Sequence, residues 1–232
     1  EVENAVKPLR KAAEVRANVL AMEQLGATVS YHRCDMADVG AVAELVHRVT
    51  EAHGPIDICI HGAGVEESRL VPDKDDGAFH RVFDGKAMGG LALVGALPPS
   101  ARFVSMGSVS GRFGNAGQVD YAAANDAMAR VCLARPNSLH LDWTAWDDVG
   151  MAVRGGMRRL LTDRGVDLLP ADAGATLLVD LVSAGVDGEL VVAGGLGDFF
   201  PGPDHALVDR ASLDGDTVRL HRTLSAESDP WI

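Results

Sequence analysis

Phe103-Val-Ser-Met-Gly-Ser108, followed by Gly114-Asn-Ala-Gly-Gln-Val-Asp-Tyr121-Ala-Ala-Ala-Asn125, decides how this chain is read. The first stretch continues Arg102 as a short, mostly apolar strand that runs into a small-residue turn. The second leads into a helix over residues 118–130, rich in alanine. Ser108 and Tyr121 are thirteen positions apart, and Asn125 falls one helical turn after the tyrosine. A hydroxyl, a phenol and a carboxamide are thereby expected at the mouth of one strand-to-helix unit.

Working outward, the same alternation continues in both directions. Upstream, Leu9–Leu25 reads as a helix stopped by Gly26, Thr28–Cys34 as a strand and Ala41–His53 as an amphipathic helix. Ile56–His61 is a mostly apolar run, as expected of a parallel strand covered on both faces. A helix spans Gly77–Leu97 and ends at Pro98-Pro99. Downstream come a strand at Ser138–Asp142, a basic, glycine-containing helical segment over 150–165, a helix at Ala171–Ala184 and a strand at Glu189–Ala193. Strands separated by helices of this length predict an α/β chain, a doubly wound, Rossmann-like parallel sheet.

Bulk composition narrows the function classes. The 232 residues suit one sizeable domain, or one domain and a fragment of another. Net charge is −12, which argues against a nucleic-acid or anionic-membrane surface, since phosphate binding needs clustered Lys and Arg. No apolar run reaches the length that crosses a bilayer. Cys34, Cys59 and Cys132 are too few and too scattered for a disulfide framework or a metal knuckle, so no metal site and a reducing, cytoplasmic setting are expected.

The Ser108, Tyr121 and Asn125 spacing resembles the active site of the short-chain dehydrogenase/reductases. The Tyr-x-x-x-Asn form, in place of the commoner Tyr-x-x-x-Lys, resembles the ketoreductase domains of type I polyketide and fatty-acid synthases. In those domains the lysine lies earlier, and Asp84-Gly-Lys86-Ala-Met-Gly-Gly90 stands at the matching place. The Gly-Arg-Phe-Gly-Asn-Ala-Gly-Gln lead-in is similar to the iterative branch that makes enediynes, polyenes or polyunsaturated fatty acids. The resemblance implies NADPH-dependent reduction of a β-ketoacyl thioester carried by an acyl carrier protein, giving a β-hydroxyacyl product, in a parent that is a homodimer. One departure stands out: Gly107-Ser108 replaces the usual Ser-Ser pair.

The chemistry fits these residue types. Hydride delivered to a carbonyl leaves negative charge on its oxygen, and a pre-aimed donor there lowers the barrier most. Tyr121 would give the proton; a free phenol has a pKa of about 10, and an ammonium from Lys86 near it would make the proton easier to release. Ser108 would hydrogen-bond the substrate oxygen, and Asn125 would hold Lys86 or a water touching it. For the cofactor, the resemblance implies that Asp35 and Met36 contact adenine and that His61, Gly62, Ala63 and Gly64 pack near its ribose. Lys86, Tyr121 and the loop bearing Thr144 and Trp146 would face the nicotinamide. The glycines after a buried strand also have a physical reason, since they let backbone approach a dinucleotide closely. Gly150, Gly155 and Gly156 would serve a mobile lid. Each residue alone has an ordinary structural reading; Asp35 could be a helix N-cap, and the two tryptophans could be packing.

Two ends remain. No Gly-x-x-x-Gly-x-Gly turn precedes residue 26, so the expectation is a Rossmann-like sheet lacking its first strand-helix-strand, in a piece of a longer polypeptide that alone binds NADPH negligibly. The resemblance implies that residues 1–200 are the ketoreductase portion. After Phe199-Phe-Pro-Gly-Pro203, residues 201–232 read as a linker and alternating strand, and Asp229-Pro-Trp-Ile232 resembles the start of a hot-dog dehydratase domain; a simple hairpin is the other reading. Two other functions stay open: a non-catalytic bracing module of a megasynthase, and a free-standing short-chain reductase.

Overall fold

The computed structural model describes residues 2–147, 149–150, 157–197, 210–214 and 217–221. Phe199–Pro203, Gly155, Gly156 and Asp229–Ile232 lie outside the described residues. The chain divides into two units, residues 1–34 and 35–232.

The first unit is a helix, α1 (Val2–Gln24), which runs through Pro8 and so forgoes one backbone hydrogen bond. It closes on Gly26 at φ 89°, with Gly26 N–H donating to Glu23 O and Ala27 N–H to Met22 O. That pair is the paired-bond ending that needs a left-handed residue, which is why a glycine stands there. Thr28–Cys34 is not a strand. A strand needs a neighbouring strand for its alternate N–H and C=O groups, and among the described residues no strand pairs with this segment.

The second unit is built on four parallel strands. They are β1 (Ile58–His61), β2 (Arg102–Met106), β3 (Ser138–Trp143) and β6 (Gly188–Val192), in the order β1-β2-β3-β6. Between β3 and β6 lie a two-residue parallel pair, β4 (Trp146–Asp147) with β5 (Leu169–Pro170), and the helices α7 (Met157–Asp163) and α8 (Ala171–Ser183). Earlier in the unit come α2 (Val39–His53), α3 (Asp76–Phe83), α4 (Gly89–Ala96), α5 (Val109–Phe113) and α6 (Val119–Ala134). The expected single helix over 77–97 is in fact α3, a π turn at Asp84–Met88, and α4. Residues 210–214 and 217–221 form an antiparallel pair, β7 and β8, in a sheet of their own.

Side chains alternate across the sheet as the pleat demands. Phe103 on β2 faces α2, α4 and α6, packing with Val46, Leu97, Met128 and Cys132. Val104 beside it faces the other way, with Leu139, Leu141 and Trp143 of β3 and the apolar stripe Leu177, Leu178, Leu181 of α8. Helices thus cover both faces, and the strand carboxyl ends of β1, β2 and β3 open on one side. Close packing there depends on glycine: a Cβ on Gly90 would lie 2.5 Å from Met128 Sδ, so α4 and α6 meet only because that Cβ is missing.

Candidate active site

Three side chains meet at the carboxyl end of β2. Ser108 caps α5, its Oγ accepting from Ser110 N at 3.2 Å. Tyr121 opens α6, and its phenol is held above the ordinary value by burial, with neighbouring Ser108 and Asn125 easing the rise and the charge of Glu66 adding to it. The phenol is accordingly a protonated acid at neutral pH. Asn125 is fully buried, donating from Nδ2 to Tyr121 O at 2.7 Å, while its Oδ1 has no partner.

Lys86 comes from the π turn. A π turn widens the helix by one residue and frequently marks a functional position. Here it directs the Lys86 side chain inward, only 4% exposed, where Nζ donates to Met106 O at 2.8 Å and Ala63 O at 3.2 Å. Burial pulls its pKa down to about 8, with Asp142 opposing the fall. Among the described residues Lys86 hydrogen-bonds neither Tyr121 nor Asn125, contrary to expectation. The Asn125 carboxamide is bonded back along its own helix, and the ammonium is held by carbonyls at the ends of β1 and β2.

The cofactor expectations divide. A Cβ on Gly64 would sit 3.8 Å from Lys86 Nζ, so the missing side chain leaves space in front of the ammonium. The Ala63 carbonyl borders that space, while Gly62 faces Met106. His61 turns its ring inward instead, donating from Nε2 to Lys86 O at 2.9 Å, and burial takes its pKa down to about 4. Its role is to brace the π turn with a neutral ring. Asp35 is exposed and accepts from Ala37 N, while the cap of α2 is Asp38 rather than Asp35. Met36 packs on the start of α4, where a Gly89 Cβ would collide with Met36 O at 2.4 Å. Thr144 Oγ1 donates to Asp167 O, and Trp146 lies against Trp143 and Gly174. Their side chains are committed to packing around β4 and β5.

Two arrangements have no signature in the sequence. Lys74 Nζ and Asp120 Oδ2 form a buried ion pair, Asp120 standing directly before Tyr121. Lys74 also donates to Glu67 O, and Gln118 donates to Glu66 and Ser68, so the loop over residues 66–74 is tied to the start of α6. Behind Gly107, His140 and Asp142 are fully buried and bonded at 3.2 Å. They explain the unusual glycine, since a Cβ at 107 would lie 2.2 Å from His140 Nε2.

The geometry has a counterpart in sequence families: the model described as "KR domain" matches residues 6–148. The chain belongs to the KR domain family. KR domains are oxidoreductases that reduce β-keto groups with NADPH, on a Rossmann-like sheet. This KR domain is 28% identical over 229 residues to a polyunsaturated fatty acid synthase polypeptide of a Thraustochytrium species, covering 95% of this chain and 8% of that protein. It is 32% identical over 168 residues to 6-methylsalicylic acid synthase of Penicillium terrestre, covering 67% of this chain and 9% of that one. The chain thus spans less than a tenth of these multidomain relatives. Among solved structures, the KR domain resembles a ketoreductase from the first module of phoslactomycin biosynthesis in Streptomyces sp. HK803, with TM-score 0.71, 25% identity, and 76% and 42% of the two chains covered. A ketoreductase domain from the bacillaene assembly line gives TM-score 0.68 at 30% identity, covering 79% and 47%.

Proposed function

We propose that this KR domain reduces a β-ketoacyl thioester, carried by an acyl carrier protein, to the β-hydroxyacyl thioester inside a cytoplasmic, dimeric synthase of the polyketide or polyunsaturated-fatty-acid kind. The reading rests chiefly on one observation: a buried phenol, Tyr121, kept protonated beside Ser108 and Asn125 at the strand end where Lys86 is buried.

Gly62, Ala63, Gly64, Lys86 and Tyr121 are the residues that would hold the cofactor, with Asp35 and Met36 at the far end. The open space before the Lys86 ammonium and the unpartnered Asn125 Oδ1 fit a polar ligand there. When bound, NADPH supplies the hydride that adds to the carbonyl carbon. Ser108 Oγ hydrogen-bonds the carbonyl oxygen and fixes its direction. Tyr121 Oη transfers its proton to that oxygen as negative charge builds on it, so the product is the neutral alcohol. The Lys86 ammonium stabilises the phenolate left behind, and Asn125 fixes the first turn of α6 under the tyrosine.

The test is direct. The intact protein, given NADPH and a β-ketoacyl N-acetylcysteamine thioester, should consume the cofactor and form the β-hydroxyacyl thioester. Cofactor fluorescence that stays constant, with no alcohol by mass spectrometry, would refute the assignment.

A further inference from the structure

A parallel sheet covered on both faces has little reason to bury charge, yet β3 turns His140 and Asp142 toward its α5 and α6 side, 0% and 1% exposed. Glu189 on β6 is the register partner of His140 and joins the same face. Burying a carboxylate without a charged partner is costly, and the single His140 Nε2 bond leaves Asp142 Oδ2 unsatisfied. No group of three His, Cys, Asp or Glu among the described residues is arranged to hold a metal ion, so the cluster's purpose lies elsewhere.

Its neighbours indicate where. A Cβ on Gly107 would come 2.2 Å from His140 Nε2 and 2.9 Å from Asp142 Oδ1, so the pair is pressed against the backbone of Gly107. Gly107 lies between Ser108 and Met106, and the Met106 carbonyl accepts from Lys86 Nζ at 2.8 Å. Carboxylate, glycine turn and ammonium are therefore contiguous. We infer that Asp142, oriented by His140 and admitted by Gly107, is the buried counter-charge that keeps Lys86 protonated for the reduction; it is a positioning residue.

The surrounding charges agree. Asp142 is the group that opposes the burial-driven fall of the Lys86 pKa to about 8. The other titratable groups facing the pair are His61 on β1, Tyr121 on α6, His140 on β3, Glu189 on β6 and Arg112 on α5. His61 is neutral above about pH 4. Glu189 is pushed up by burial and then by Asp142, with Arg112 and His140 pulling the other way. Burial and the neighbouring Asp142 thus make Glu189 hold its proton more tightly than a free carboxyl. In Asp142→Asn that neighbouring charge is gone, so Glu189 ionises more readily and takes over part of the role.

This inference rests on the reductase reading, and the experiment separates the two. Asp142→Asn and the double variant Asp142→Asn/Glu189→Gln are made in the intact protein. Turnover with the thioester substrate and NADPH binding by fluorescence are each followed against pH. Wild-type turnover and binding should fall on a basic limb set by Lys86. In Asp142→Asn that limb should move to lower pH, and in the double variant by about one pH unit or more, the usual size of a lost neighbouring charge. Both variants should keep most of their turnover near pH 6. A limb that stays in place for turnover and binding in the double variant overturns the inference, since loss of folding alone lowers amplitude without moving a limb. Absence of wild-type turnover instead refutes the reductase reading.

Discussion

Lys74 Nζ lies 2.6 Å from Asp120 Oδ2, with the two side chains 3% and 1% exposed. The lysine belongs to the loop before α3 and the aspartate to the first turn of α6, where Asp120 Oδ1 also accepts from Tyr121 N. One buried ion pair therefore connects the loop over residues 66–74 to the residue that would donate the proton.

Breaking such a pair from one side strands a buried charge. Lys74→Met or Asp120→Asn should each destabilise the protein by roughly 3–5 kcal/mol, whereas Lys74→Met with Asp120→Leu should recover much of that loss. A double-mutant cycle from urea denaturation measures it. Additive losses would show that the pair does not act as a unit.

Tyr121→Phe should lower thioester reduction at least about a hundredfold, the lower end of what a positioned acid contributes. NADPH affinity should fall much less than turnover, because the variant keeps the ring beside the cofactor and loses only the hydroxyl that supplies the proton. Steady-state kinetics beside a fluorescence titration separates the two quantities, and unchanged turnover would remove Tyr121 from the role.

Lys86→Ala should impair reduction and NADPH binding together. The side chain stands before the open space at Gly64 and is held by carbonyls from two strands. A variant that binds NADPH normally yet fails in turnover would confine Lys86 to the chemical step.

His61 predicts a loss of stability in acid. Its folded pKa is about 4 against about 6.5 when unfolded, so between these values the unfolded chain binds more protons. Stability therefore rises with pH across that window, and falls by up to about 3 kcal/mol on acidification from pH 7 to 4. The stability difference between wild type and His61→Gln, measured by denaturation along that range, should reproduce the slope. A flat difference would mean that the ring is solvated.

Much of this fold is legible in the amino-acid pattern. Arg102–Met106 has the same bounds in pattern and in structure, and Ile56–His61, Ser138–Asp142 and Glu189–Ala193 each fall within two residues of an observed strand, because buried parallel strands are short apolar runs. Thr28–Cys34 has the same local pattern but pairs with no strand among the described residues, and a strand is a property of a pair. The site divides in the same manner. Ser108, Tyr121 and Asn125 come together because a strand, a turn and one helical turn fix their spacing locally. Lys74 and Asp120 lie 46 positions apart, and nothing local to either residue marks the other. The π turn is equally invisible, since one extra residue in the Gly-rich run 85–90 leaves no periodic trace.

Gly107 and His140 cannot change independently. With only 2.2 Å for a side-chain carbon, a serine at 107 has no room while the imidazole remains. The permitted route shrinks position 140 first and enlarges position 107 second; the reverse order passes through a clashing intermediate. Any attempt to move residues between this reductase and its relatives must exchange the two positions as a unit, although they lie 33 residues apart, one just past β2 and the other on β3.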